Sequence, residues 1–478
     1  MDRENGIEAR WVTWQEAGEE IVDLRRRAFV DELGWNERWV RHARDPEGLH
    51  LCAMSGGKIV AVISAYLYEP GAPELADAAF PDATGLSVQL GKRVEVEEHR
   101  GRLVSARIGT SMLRQICESL RPARIFLLLL RNGHPHLADR YARRGFVRHA
   151  DVGSGDDALT VMKVEGEQAL EDFHLNNRHL DRKAATADDP IHVPSLVRFL
   201  TDNGRADLLA VDRLNTENLY LQSLPPGDEL PRLTAQGRLV LAEQRPRLAE
   251  TPFPPAPASL LDIGSGPGDY LAALAQEPPF AGYRIHGVEP SPELLTTART
   301  AFPGHTFHPG SAYTTGQPDS SHDVVTASFV FIHLRSPDLA LLEIRRVLRP
   351  GGLLYVVDAD NSTFRGPDPV RRLMEAYDHD YPGDRLIMKD LTARAAEFGF
   401  RPVRRFVTTM RNTGGPEPIF GPDEIRLGRE EAWSILSFLR AQRGGADAFR
   451  EAEEHYFGTG CEISMDVETR VYRLDPAD

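Results

Sequence analysis

The chain is expected to be an α/β protein of more than one domain, with a doubly wound, mostly parallel sheet in its second half. Three observations lead there. At 478 residues it exceeds one ordinary domain. From about residue 258 onward, short apolar runs of strand length alternate with helical stretches in the manner of βαβ units. Leu260-Leu261-Asp262-Ile263 runs straight into the glycine-rich turn Gly264-Ser265-Gly266-Pro267-Gly268. The first half also mixes strands and helices, but without that regular alternation.

Bulk properties narrow the function classes. The composition, 41% hydrophobic and 27% charged, is that of a soluble globular chain. A net charge of −15 repels phosphate backbones, so no nucleic-acid partner is expected. No apolar run reaches the ~18 residues needed to span a bilayer, so no membrane partner is expected either. The start, Met1-Asp2-Arg3-Glu4-Asn5-Gly6, lacks a signal peptide's basic-then-apolar pattern. Cys52, Cys117 and Cys461 are scattered and odd in number, which suggests neither a disulfide framework nor a metal site. A cytoplasmic setting is the expectation.

Four segments are expected: an α/β unit over 1–165, a linker over 166–190, a helical prelude or cap over 191–257, and the doubly wound unit over 258–478. In the first, Trp14 to Leu33 has helical spacing. His50–Met54 and Ile59–Leu67 read as strands across the turn Ser55-Gly56-Gly57-Lys58. Arg93–Val96 and Arg124–Leu130 are further strands, with a helix from about Gly109 to Leu120 between them. A helix ends at Arg144-Gly145-Phe146, and a strand follows near Leu159–Met162. The prelude carries a helix from Asp228 to Arg245, which Pro246 should stop because it has no amide hydrogen to donate.

In the second unit, Arg284–Glu289 forms another apolar strand, and Glu289 closes it about twenty residues past the last glycine. Glycines let the backbone approach a ligand, and a carboxylate at that spacing takes ribose hydroxyls. An adenine nucleoside is the implied ligand. Pro290-Ser291-Pro292-Glu293 starts a helix, Phe307–Ala312 gives a short strand and turn, and Asp323–Phe329 is a buried strand. The helix Leu339–Val347 leads into Leu348-Arg349-Pro350-Gly351-Gly352 and the strand Leu353–Asp358. Lys389 to Gly399 and Arg401 to Thr408 read as a final helix and strand.

Asp262-x-Gly264-x-Gly266-x-Gly268, the acidic Glu289 and Arg345-Arg346-Val347-Leu348-Arg349-Pro350-Gly351-Gly352 together resemble class I S-adenosylmethionine-dependent methyltransferases over residues 258 to 410. The turn ending in Pro-Gly-Gly separates this family from dinucleotide-binding folds with similar glycines. The resemblance implies that S-adenosyl-L-methionine is the cofactor. It places Asp262, Gly264, Ser265, Gly266 and Gly268 along the methionine side, and Glu289 and Pro290 at the ribose. Gly310, Ser311 and Ala312 meet the adenine, although the family often carries an acid where Ser311 stands. Ser328 and Phe329 border the methyl group. Methyl transfer chiefly needs alignment and exclusion of water; a base matters only for a protonated acceptor. His333, just past the fourth strand, is the candidate base, and it can equally cap the region that follows. Tyr313 and Asp358, and after them Phe364, Tyr377, Tyr381 and Asp384, are pocket-edge or core residues.

In the first unit a strand bearing Glu95 and Glu97 leads into His99-Arg100-Gly101-Arg102-Leu103-Val104-Ser105-Ala106-Arg107-Ile108-Gly109-Thr110. Basic residues and glycines at a strand-to-helix turn suit a pyrophosphate. With Tyr141-Ala142-Arg143-Arg144-Gly145-Phe146, this resembles the GNAT superfamily of acyl-CoA transferases over residues 8 to 165. The resemblance implies acetyl-CoA or another acyl-CoA as cofactor, held by Arg100, Gly101, Arg102, Arg107, Gly109 and Thr110. It implies Tyr141 as the acid that protonates the departing thiolate, and Glu95, then Glu97, as the base. The loop departs from the family: it is longer, and Arg107 stands where glycine is usual. Arg25, Phe29 and Trp35 are also similar to the amino-terminal pattern of acyl-homoserine-lactone synthases, or are simply the buried face of the first helix.

The expected whole is a bifunctional enzyme that modifies small molecules in a biosynthetic pathway, joining N-acyl transfer on an amine-bearing acceptor to methyl transfer. The alternative is a methyltransferase whose first domain is catalytically inactive and serves binding or dimerisation. The assembly, homodimer or not, stays open.

Overall fold

The strand-forming runs of the sequence become two separate seven-stranded sheets. The computed structural model describes residues 6–131, 136–155, 158–186, 190–221, 226–411, 451 and 463–476. The chain divides into two units, Met1–Ala210 and Val211–Asp478.

The first unit holds β1 (Glu8–Val12), β2 (Leu49–Ser55), β3 (Lys58–Tyr68), β4 (Ser87–Glu95), β5 (Arg124–Leu130), β6 (Val147–Val152) and β7 (Leu159–Glu165). Their order is β1-β2-β3-β4-β5-β7-β6. Every neighbouring pair is antiparallel except β4 with β5. That parallel pair is short, running only from Ser87/Arg124 to Leu90/Leu127. Beyond it β4 stays with β3 as far as Glu95, and β5 stays with β7 as far as Leu130. The two strands therefore part at their carboxyl ends. The helix Val104–Ser119 buries Ile108, Met112 and Ile116, one stripe at helical spacing.

Three expectations for this unit are corrected. The helix begins at Val104, not near Gly109. The stretch expected as a linker contains a helix, Glu167–Ala185, that turns Phe173 and Leu175 inward. Its Asp181 meets Arg114 Nε at 2.6 Å. The polar composition there reflects ion pairing against the neighbouring helix, not loose chain; residues 187–189 lie outside the described residues. Residues 191–210 belong to the first unit and not to the prelude. Leu196 N donates to Gln115 Oε1 at 2.5 Å, and Ala210 N donates to Ser119 O at 2.9 Å.

The second unit holds β8 (Ser259–Ile263), β9 (Arg284–Glu289), β10 (Thr306–Pro309), β11 (His322–Ser328), β12 (Leu348–Arg365), β13 (Phe400–Arg411) and β14 (Ser464–Leu474). The order is β10-β9-β8-β11-β12-β14-β13. From β10 to β12 all pairs are parallel, and β14 runs antiparallel between β12 and β13. The order reverses beside β8, with β9 on one side and β11 on the other. Such a switch point opens a crevice at the carboxyl ends of the strands.

Two readings change here. Pro246 does not stop its helix, which runs from Pro226 to Glu250. A proline inside a helix costs about 3 kcal/mol, but Val240, Leu241, Gln244 and Leu248 are all buried, and that packing holds the helix together. The strand over Arg401 to Thr408 is not the last of the sheet. Residues 464–474 form β14 inside the sheet, with Val467 and Val471 in the core. The rest of the tail, 412–450 and 452–462, lies outside the described residues.

Candidate active site

The site starts at the turn after β8. Gly264, Gly266 and Gly268 have φ of +66°, +54° and +89°, a left-handed backbone that glycine adopts without a Cβ penalty. A Cβ on Gly264 would fall 2.8 Å from Val330 Cγ2, whereas around Gly266 there is nothing within 4 Å. Gly264 permits close packing, and Gly266 leaves room for a ligand. Gly268 serves the core, since its Cβ would meet Phe302 and Phe307 at 3.0 Å.

Glu289 closes β9 and is 4% exposed. Gly266 N donates to its Oε2 at 2.9 Å, and Ser291 N donates to its Oε1 at 2.8 Å. Each oxygen keeps lone pairs for further donors. Burial pushes the carboxyl up to about 7, against the pull of those two amides. Asp262, the last polar residue of β8, accepts from Thr326 Oγ1 at 2.6 Å. Burial, aided by the nearby Glu289 charge, raises it to about 7 as well. Asp358 on β12 accepts from Ile332 N at 3.2 Å and Ala359 N at 3.0 Å. It too is raised to about 7 by burial.

A cavity of about 270 Å³ opens over Asp262 and Glu289, and Asp358, expected at the pocket edge, is not in its lining. Asp262, Gly264, Ser265 and Gly266 form one wall, with Glu289 and Pro290 beside them. Ser311 and Ala312 border it from the β10 side, and Ser328, Phe329 and His333 from the end of β11. Gly268 and Gly310 are not in its lining. A Cβ on Gly310 would press on Thr314 O and Thr315 O at 2.9 Å, so Gly310 allows a tight turn instead. Ser311 Oγ donates to Asn215 Oδ1 at 2.5 Å and accepts from Tyr313 N at 3.0 Å. It fastens the turn to the segment before the long helix.

The other end of the cavity was scarcely visible in the sequence. His333 Nδ1 and Tyr381 Oη are hydrogen-bonded at 2.6 Å, and the Tyr220 ring lies 4.9 Å from that of His333. Glu217, paired with Arg335 at 2.8 Å, also lines the cavity, as do Leu219, Tyr220, Leu221, Arg385 and Met465. Tyr313 Oη accepts from Arg335 N at 3.0 Å. Tyr377 and Tyr381 are core, buried with Leu219, Val370, Leu373 and Met374, and Phe364 packs on that cluster. Asp384 is buried and accepts from Leu386 N at 3.0 Å.

The candidate residues of the first unit are arranged differently. Glu95 is 9% exposed. Its carboxylate accepts from Val104 N at 2.9 Å, Ser105 N at 3.1 Å and Ser105 Oγ at 2.7 Å. It caps the helix that the anion was expected to meet, and the first amides of that helix are already bonded. Arg100 pairs with Glu32. Glu97, Gly101 and Arg102 lie in a 3₁₀ turn, Glu97–Arg102. Arg107 lies within the helix. Gly109 also lies there and packs on β3; a Cβ would meet Ile63 Cδ1 at 3.0 Å. Thr110 Oγ1 donates to Ala106 O of its own helix at 2.9 Å. Arg107, Gly109 and Thr110 are thus residues of the helix itself. Tyr141 stands edge-on to Phe146 at 5.6 Å. Phe29 and Trp35 stack at 5.1 Å as part of the core, and Arg25 is buried against Asp45 at 2.9 Å.

The family match falls in the second unit. Residues 261–356 match the family described as "Methyltransferase domain". The chain is similar to a demethylmenaquinone methyltransferase of Chlorobaculum parvum, 31% identical over 151 residues, 30% of this chain and 60% of that protein. An uncharacterized methyltransferase of Schizosaccharomyces pombe is 35% identical over 112 residues, 21% of this chain and 40% of its own length. Among solved structures, the YcgJ protein of Bacillus subtilis aligns over 48% of this chain and 97% of its own, with 17% identity and a TM-score of 0.32. The chain spans 60% of the length of the first relatives it matches. Residues 261–356 of the second unit thus resemble a methyltransferase domain. Among the described residues, no helix is long and apolar enough to cross a membrane, and no group of three His, Cys, Asp or Glu is placed to hold a metal ion.

Proposed function

We propose that the second unit transfers a methyl group from S-adenosyl-L-methionine to a small-molecule acceptor. One observation carries the reading: Glu289 is buried, fixed by two backbone amides, and borders a cavity that begins at the open side of Gly266. A carboxylate held this way is suited to accepting two adjacent hydroxyls, and a ribose presents such a pair. When bound, the cofactor supplies an electrophilic methyl carbon. The turn Gly264–Gly266 holds the nucleoside by its backbone, the cavity walls exclude water, and Glu289 orients the ribose. The role of base for a protonated acceptor falls to His333, at the cavity wall and bonded to Tyr381. Calorimetric titration with S-adenosylhomocysteine tests this: micromolar binding is expected, and absence of binding overturns it.

For the first unit we favour the alternative, a GNAT-like module that is catalytically inactive and serves binding or dimerisation. The divergence of β4 and β5 supports the GNAT-like fold, because it leaves a wedge between their carboxyl ends. The engagement of Glu95 with Val104 and Ser105 speaks against its acting as a base, and against a pyrophosphate at that helix start. Turnover of acetyl-CoA with any amine, abolished in Tyr141→Phe, would restore the bifunctional reading. A cytoplasmic enzyme without nucleic-acid partners suits the −15 net charge.

A further inference from the structure

The cavity continues beyond the nucleoside end. Its lining reaches Ala359 within β12 and Met465 at the start of β14. β12 lies two strands from β8, about 10 Å at the usual ~4.8 Å spacing. At that far wall stands Arg385, only 6% exposed. It faces the buried Asp358, whose carboxyl burial pushes up and the guanidinium charge pulls down, but its hydrogen-bonding capacity is poorly filled. Among the described residues its Nε has no hydrogen bond, and the Asp378 carboxylate comes no closer than 3.8 Å. Among the described residues its one hydrogen bond, from an Nη to Asn361 Oδ1, is long at 3.4 Å. Asp378 is engaged elsewhere, accepting from Asn361 Nδ2 at 2.7 Å.

A buried guanidinium with so few partners is costly to maintain unless something completes it. The group is also held ready. It lies 5.1 Å over the Tyr377 ring and 5.8 Å over that of Tyr381, both core residues. The neighbouring cavity wall is apolar, with Leu219, Ile332, Leu334 and Met465. Arg335, the other arginine of the lining, has its Nε already matched by Glu217.

We propose that the methyl acceptor carries a carboxylate on an apolar body, and that Arg385 receives that carboxylate. Guanidinium and carboxylate match as a planar, two-bond pair. The anchor holds the acceptor at the β12–β14 end, leaving its nucleophilic atom directed toward Ser328 and His333. The inference rests on the methyl-transfer reading of the same cavity.

The test compares phenylacetate with phenylacetamide, nearly equal in shape and differing in charge, by calorimetry on the full chain saturated with S-adenosylhomocysteine. The acid is expected to bind at least tenfold more tightly than the amide. Arg385→Gln should bring the two within twofold of each other while still binding S-adenosylhomocysteine, and Arg385→Lys should keep part of the preference. An equal response to acid and amide in the unsubstituted protein, including no response to either, overturns the inference. So does a preference that survives Arg385→Gln. Should that variant not fold, an unchanged ratio in Arg385→Lys overturns it. Failure to bind S-adenosylhomocysteine would instead sink the methyl-transfer reading, and the acid–amide comparison is then made on the ligand-free protein.

Discussion

The turn after β8 and the turn after β4 use the same parts to opposite ends. Each joins a buried strand to a helix, and each has a buried glutamate bonded to backbone amides. After β8 the glutamate comes from the neighbouring strand, and three glycines of positive φ carry the chain around an open space. After β4 the glutamate comes from the same strand and sits on the helix start itself. There the one left-handed residue is Leu103, φ +52°. Glycines in the turn leave a cavity, whereas the carboxylate of Glu95 closes one. A strand-to-helix turn rich in basic residues is therefore no sign of an anion site until the amides of the helix start are accounted for.

The largest effect expected is at Glu289. Glu289→Ala removes the ribose partner and leaves Gly266 N and Ser291 N unsatisfied, a loss of about 3 kcal/mol. S-Adenosylhomocysteine should bind roughly 100-fold more weakly by calorimetry; affinity within threefold of the parent would remove Glu289 from the site. Gly266→Ala comes next. It strains a left-handed backbone by about 1–2 kcal/mol and puts a methyl group toward the ligand, so binding should weaken about tenfold. An unaltered dissociation constant would mean that the open side of Gly266 is not where the nucleoside lies.

Acidity gives a third contrast. Glu289 must be ionised to accept two hydroxyls, and in the ligand-free protein it is held up at about 7. Affinity should be flat above pH 8 and fall by roughly tenfold per unit as pH drops below 7. A flat profile from pH 8 to 6 would show that the carboxylate is not a ligand. The smallest effect is expected in the first unit. Glu95→Ala removes the cap of Val104–Ser119 and should cost about 1–2 kcal/mol, seen as a lower melting temperature of that unit with nucleoside affinity unchanged. If acetyl-CoA binds to this variant and not to the parent, the cap has been filling a former coenzyme site.

Much of the second unit was legible because its information is local. Leu260–Asp262, the glycines and the spacing to Glu289 are one continuous run of chain, and a parallel strand buried on both faces reads as an apolar stretch. The acceptor end was not. Leu219 and Tyr220, Arg385, and Met465 come from three separated places, and only the fold brings them to one wall. Nothing in the sequence sets Arg385 apart from a surface arginine, because its burial is a property of the fold. In the first unit the composition of the turn was legible and its bonding was not. Arg100–Arg102 and Gly109 have the composition of a phosphate loop, but a residue nine positions before Val104, Glu95, decides where the helix begins.

The position of β14 sets the order in which this domain is finished. The strand that completes the sheet between β12 and β13 is made after both of them, and it brings Met465 into the cavity wall. During synthesis β12 and β13 therefore wait with unpaired edges until residue 474 has left the ribosome. Closure of the cavity wall and completion of the sheet are tied together, so chains clipped before Ser464 would be both sticky and inert.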